Sequence, residues 1–211
     1  MRKWIIAVAV VALAAAGTAV FLWSRAGTDT QRPATFRAER TTAHYDPIAT
    51  RAADPDPLTV AEVFPTGSVS AGGVTLTRQG TEQLTDCASA VWGGAREAVA
   101  GCTQVLRARY ATRDGRVLGQ FVVFNLADSA AADRLVGVLG RDGFVRPVPG
   151  TPEGFQGAAG WAQARALGHY VTVSWVAPAG NTGQGAGKAD LTYPQVAVDS
   201  PSLLLQHRLV R

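Results

Sequence analysis

Apolar and polar positions divide the chain into three stretches. From Ile5 to Leu22 there is no charge, and only Gly17 and Thr18 interrupt the apolar run. About 20 residues at a helical rise of about 1.5 Å cover about 30 Å, the hydrocarbon thickness of a bilayer. Residues 4–23 therefore predict one transmembrane helix, with Trp4 and Trp23 at its two interfaces. Arg2 and Lys3 precede it, so residues 1–3 are expected in the cytoplasm and the chain beyond about residue 25 outside it. The alternative is a signal peptide cleaved near Ala16, where Ala14-Ala15-Ala16 supplies small residues, leaving a secreted protein. Val20 to Trp23 carry the apolar run past that point, which favours an uncleaved anchor. Ala12 and Ala16 are spaced to let a second helix approach closely.

Residues 24–57 lose the apolar pattern. Arg25, Arg32, Arg37, Arg40 and Arg51 are spread among Thr, Ala and Pro, with acids interleaved. Asp46, Asp54 and Asp56 each precede a proline, which disfavours helix. The stretch predicts a flexible stalk.

Residues 58–211 show the periodicities of a folded domain. Thr59 and Glu62 fit a capping box for a short helix ending before Pro65. Val74 to Thr77 alternate as a strand after Gly72-Gly73. Ala88, Val91, Trp92, Ala95 and Val99 recur at helical spacing. Gln104 to Thr112 and Val117 to Asn125 alternate around Asp114-Gly115, a hairpin signal. Asp128 caps a second helix that turns Ala131, Ala132, Leu135, Val138 and Leu139 inward, with Gly140 past its end. Trp161 to Ala166 and Tyr170 to Ala177 make a second hairpin around Leu167-Gly168. The order β-α-β-β-α-β-β predicts an α+β domain of ferredoxin-like type, an antiparallel sheet with two helices on one face. Pro178 to Asp190 read as a Gly-rich loop, and Ser200-Pro201 opens a last short helix or, alternatively, precedes an edge strand.

The only cysteines, Cys87 and Cys102, sit at the ends of the first of these two helices. In an unbroken helix their Cα atoms would be about 22 Å apart, whereas a disulfide needs about 4.4–6.8 Å. Outside the cytoplasm a lone pair of cysteines favours a disulfide. That requires the helix to break at Gly93-Gly94 or to begin after them. The alternative is an unbroken helix carrying two separate thiols.

Charge changes the picture little. The net charge of +4 divides evenly, with seven Lys/Arg against five Asp/Glu before residue 58. No basic stripe is concentrated anywhere, so nucleic acid is not an expected partner. His44, His169 and His207 lack metal-ligand spacing, and no Cys-x-x-Cys occurs. No metal, cofactor or catalytic residue is assigned. Lys188 is the only lysine in the domain, which removes a Ser-x-x-Lys pair. Gly183 to Gly187 lack the strand-to-helix setting of a phosphate loop.

One candidate ligand-binding constellation remains. Arg107 and Arg109 share a strand face with Val105, and Trp161, Gln163 and Arg165 share one on the second hairpin. If the two strands are neighbours, one open sheet face carries all five. Guanidinium forks beside an indole suit a carboxylate, phosphate or sugar polymer. An open face also needs polar residues simply to meet water.

The anchor, the entry "DPDPLTVAEVFP", the unit "DCASAVWGGAREAVAGCTQVLRARY" and "FVVFNLADSAAADRL" resemble small single-pass or secreted proteins of actinobacteria. The resemblance implies an extracytoplasmic two-cysteine α+β domain and supplies no activity. The expectation is a membrane-anchored extracytoplasmic binding domain for a protein or cell-envelope partner, without catalysis. Two alternatives stand beside it. One is an envelope enzyme assembled around Arg107, Arg109 and Asp114. The other is a sensor subunit coupling through Ala12 and Ala16.

Overall fold

The computed structural model describes residues 31–151, 155, 157–180 and 190–210. The expected transmembrane helix, the expected cytoplasmic tail and the cleavage alternative all fall outside the described residues. Among the described residues no helix is long and apolar enough to cross a membrane.

In chain order the elements are β1 (Thr35–Glu39), a 3-10 turn (Ala43–Ile48), α1 (Val60–Val63), β2 (Ser68–Ala71), β3 (Val74–Leu84) and a 3-10 turn (Cys87–Ala90). There follow β4 (Val91–Trp92), α2 (Ala95–Ala98), β5 (Gln104–Thr112), β6 (Val117–Asn125), α3 (Ser129–Leu139) and β7 (Phe144–Val145). The chain ends with a 3-10 turn (Gly157–Ala159), β8 (Trp161–Leu167), β9 (Tyr170–Pro178), α4 (Thr192–Asp199), α5 (Pro201–Leu204) and a 3-10 turn (Leu205–Val210).

The ferredoxin-like expectation is overturned. The main sheet has seven strands in the order β1-β8-β9-β6-β5-β3-β2 and curls like half a barrel. Every pairing in it is antiparallel except β1 with β8. Helices cover both faces, not one. On the first face Val105, Val122, Phe124, Val173 and Trp175 pack with Leu135 and Leu139 of α3 and with Val91, Ala95 and Val99. On the second face Leu106, Ala108, Phe121, Val123 and Val176 pack with Ile48, Phe64, Ala197, Val198 and Leu205. β6 and β9 lie between the two layers and are buried along almost their whole length. Each fully buried Leu, Val or Phe contributes about 1.5–3 kcal/mol, so a strand buried on both sides is apolar at both parities.

Local signals hold where short-range chemistry sets them. Thr59 and Glu62 close the capping box of α1, and Asp128 accepts the Ala131 N–H at 2.7 Å to start α3. The helical periodicity over residues 87–102 is broken at the glycines, as the expected disulfide requires. Residues 87–102 make a turn, a short strand and one helical turn after the glycines, and Cys87 is bonded to Cys102 at a Cα separation of 6.1 Å. Gly93 has φ 64°, a region costly for side chains. A Cβ on Gly94 would stand 2.2 Å from the Asp142 carboxylate, whose Oδ1 accepts the Gly94 N–H. The two glycines thus admit the 142–143 loop and break the helix together.

The predicted stalk is also different. From residue 31 onward it is built into the domain. β1 lies parallel to β8, with Glu39 opposite Arg165. Arg32 donates to Leu139 O at 2.9 Å and Gly143 O at 2.6 Å, capping the end of α3. Phe36 packs edge-on against Phe144, and Ile48 is fully buried. This strap wraps one edge of the sheet.

Candidate functional site

The five predicted ligand-binding residues do not meet. β5 and β8 are separated by β6 and β9. Arg109 stands opposite Gln120, Gln120 opposite Trp175, and Trp175 opposite Ala162. Side chains opposite one another share a face, and neighbours along a strand alternate. Arg107 and Arg109 therefore lie on the face of Ala162, and Trp161, Gln163 and Arg165 on the other. Neither face is open.

Arg107 and Arg109 are internal ties. Arg107 is buried and pairs with Glu82, directly across on β3, at 2.7 Å. Its neighbour Arg109 donates to Pro149 O and to Gln79 O, lying against Gly80 and Gly150. A bulge between Arg78 and Gly80 turns Gly80 and Glu82 toward these arginines. Asp114 holds the β5–β6 turn, where the Thr112 hydroxyl and the Arg116 N–H keep its carboxyl below the usual carboxylate range. Arg107 and Arg109 are thus engaged within the fold, while Asp114 lines an open 540 Å³ depression with Val74, Thr75, Thr112 and Arg113, and neither arginine is among its lining residues.

The remaining predicted residues do bring a site together, with partners the sequence did not suggest. Arg165 lies between two carboxylates, 2.7 Å from Asp199 Oδ2 and 2.9 Å from Glu39 Oε2. The Glu39 contact is an ion pair not aligned as a hydrogen bond. Gln163 Nε2 donates to Glu39 Oε1 at 2.8 Å. Behind Asp199, the Ser174 hydroxyl donates to Oδ1 at 3.0 Å, and Gln195 Nε2 reaches Ser174 Oγ at 2.7 Å. Burial pushes the Asp199 carboxyl up, and Arg165 opposes that shift. Trp161 adds no polar contact, because its indole N–H is buried without a partner.

This polar chain surfaces in a pocket of 130 Å³. Glu39, Arg40 and Tyr45 of the strap line it together with Arg165 of β8 and with Ser202 and Gln206 of the C-terminal segment. Arg40 and Gln206 are exposed, and Arg165 is held rigidly by its two carboxylates. Ser174 is fully buried beneath α4, so its hydroxyl supports Asp199 and meets no ligand. The arrangement offers hydrogen bonds and fixed charges of both signs to a small polar group.

A second polar cluster fastens the walls. Arg208 donates to Asp54 at 2.8 Å and to both oxygens of Glu62 at 2.6 and 2.7 Å. It also donates to Asp56 O at 2.7 Å and Pro57 O at 3.3 Å. The Tyr170 hydroxyl donates to Asp54 at 2.7 Å. These hydrogen bonds raise the Arg208 pKa further, led by Glu62, while burial raises that of Tyr170. The strap, α1, β9 and the closing turn converge on this one guanidinium. No local pattern in the sequence points to it, since Asp54 and Glu62 lie 154 and 146 residues from Arg208.

Comparison of the chain with protein-family models, curated proteins and solved structures returned no match.

Proposed function

We propose that this chain is an extracytoplasmic binding domain, anchored through residues 4–23, whose contact site is the pocket above Arg165. Pocket size carries the choice of partner. Small-molecule sites run to about 300–1,000 Å³, and 130 Å³ holds about four waters at about 30 Å³ each. That space admits one polar side chain or chain end, which points to a partner protein and away from a whole metabolite. The Cys87–Cys102 disulfide supports the compartment, because such bonds persist where the surroundings are oxidising.

The test is a photo-crosslinking amino acid placed at Gln206 in the full chain, expressed in its native cells, with Arg113 on the far hairpin as control. Discrete protein adducts from position 206, weakened by Arg40→Glu and missing from position 113, are expected. The same pattern from both positions would overturn the assignment of the site. Adducts removed by glycan hydrolases and not by protease would move the partner to an envelope polymer.

A further inference from the structure

The pocket's strap wall is held at both ends by one buried turn. Gly168 N–H donates to Thr41 Oγ1 at 3.1 Å. His169 N–H donates to Ile48 O at 2.9 Å, and His169 Nδ1 lies 2.8 Å from the same oxygen. A carbonyl only accepts, so Nδ1 carries the proton and Nε2 keeps a bare lone pair. The ring is fully buried, and Nε2 has no partner. It lies tilted against the Tyr170 ring, with centroids 3.9 Å apart and planes at 39°. Of the charges facing it, Asp54 favours a second proton, and Arg51 and Arg208 oppose one. On the strap's own turn, His44 and Asp46 are exposed to solvent.

We propose that protonation of His169 in mildly acidic surroundings releases residues 41–50 and so dismantles the pocket, making binding at this site acid-sensitive. The proposal rests on the pocket being the contact site. A second ring proton would sit on Nε2, where no acceptor waits for it, and a buried unpaired charge is costly. Release of the strap exposes the ring to water, where the ordinary value of about 6.5 applies. Burial holds the ring of the closed state below that value. The released state therefore binds the proton more tightly. The latch has its full strength above about pH 6.5 and weakens as pH falls toward the closed-state value. For one proton the opening equilibrium rises by up to about tenfold per pH unit in that window.

Hydrogen exchange of the full chain at pH 7.5, 6.5 and 5.5, corrected for intrinsic rates, tests this. Amides of residues 41–50 are expected to exchange up to about tenfold faster at pH 5.5 than at 7.5, with β5 and β6 unchanged. His169→Gln, whose amide can still donate to Ile48 O but takes up no proton, should be flat across the window. Asp199→Asn should respond as the wild type does. A wild-type strap whose corrected exchange does not change, or His169→Gln responding like wild type, overturns the latch. If His169→Gln does not fold, titration of the wild-type His169 ring by NMR decides, and a midpoint at or above about 6.5 refutes it. Crosslinking from position 206 at both pH values separates the two claims. Adducts lost at pH 5.5 in wild type support the switch. No adduct at either pH, with the strap still acid-sensitive, overturns the control of binding and leaves the latch standing.

Discussion

Replacing Arg208 by methionine removes one charge from the point where four segments meet. Methionine keeps most of the apolar stem, so the change is chiefly electrostatic. The Arg208 and Asp54 side chains are 1% and 9% exposed, and that of Glu62 is 18% exposed. Without the guanidinium, both carboxylates and the Asp56 and Pro57 carbonyls lose a donor in a water-poor site. Breaking a buried pair by removing one partner costs about 3–5 kcal/mol. For a domain of this size that lowers Tm by about 6–20 °C, at about 2–4 °C per kcal/mol. Urea denaturation should show a lower midpoint at unchanged slope. The same logic predicts rescue. Asp54→Asn and Glu62→Gln added to Arg208→Met remove the stranded charges, and most of the loss should return. A single variant costing less than about 1 kcal/mol, or a triple variant worse than the single, would refute the clasp.

Other perturbations follow from the same structure. Cys87→Ser with Cys102→Ser opens a loop with a sequence separation of 15 and should lower stability by about 3 kcal/mol relative to the oxidised wild type, read from urea melts, with the reduced wild type melting close to the variant. Gly168→Ala should destabilise by more than the roughly 1–2 kcal/mol of an ordinary left-handed position. Its φ is 63°, and the new Cβ would stand 2.2 Å from Ile48 O; thermal melts should fall, and exchange should localise the loss to the strap. Asp128→Ala removes the N-cap of α3 and should cost about 1 kcal/mol by the same melts.

What could be read from the sequence was local. Asp114-Gly115 gave the hairpin, Thr59 and Glu62 the capping box, and Gly93-Gly94 the break that the disulfide needs. Pairing over long distance was not legible. Residues 35–39 carry mostly exposed side chains, and only Phe36 turns toward the core. Such a strand has no alternation strong enough to announce itself, and its partner lies at residues 161–165. Residues 31–57 are polar and proline-rich because they run over the surface as a strap; the same composition describes a stalk. The missing open face was legible in part. Phe121-Val122-Val123-Phe124 is apolar at both parities, which a sheet with one wet face would not need. The site was half visible: Arg165 and Gln163 belong to it, while Glu39 and Asp199 come from segments whose place in the fold only the tertiary structure fixes.

The account depends most on the strap being folded against the domain, because its residues wall the pocket, carry the latch and join the clasp. Hydrogen exchange of the full chain at pH 7.5 tests that directly. Amides of Thr35, Arg51 and Asp54, bonded to Gly160, Ala127 and Thr50, should be protected well beyond the rates of an unstructured peptide. Exchange of residues 35–54 at unstructured rates, with β5, β6 and β9 protected, would contradict the account and return the segment to a stalk.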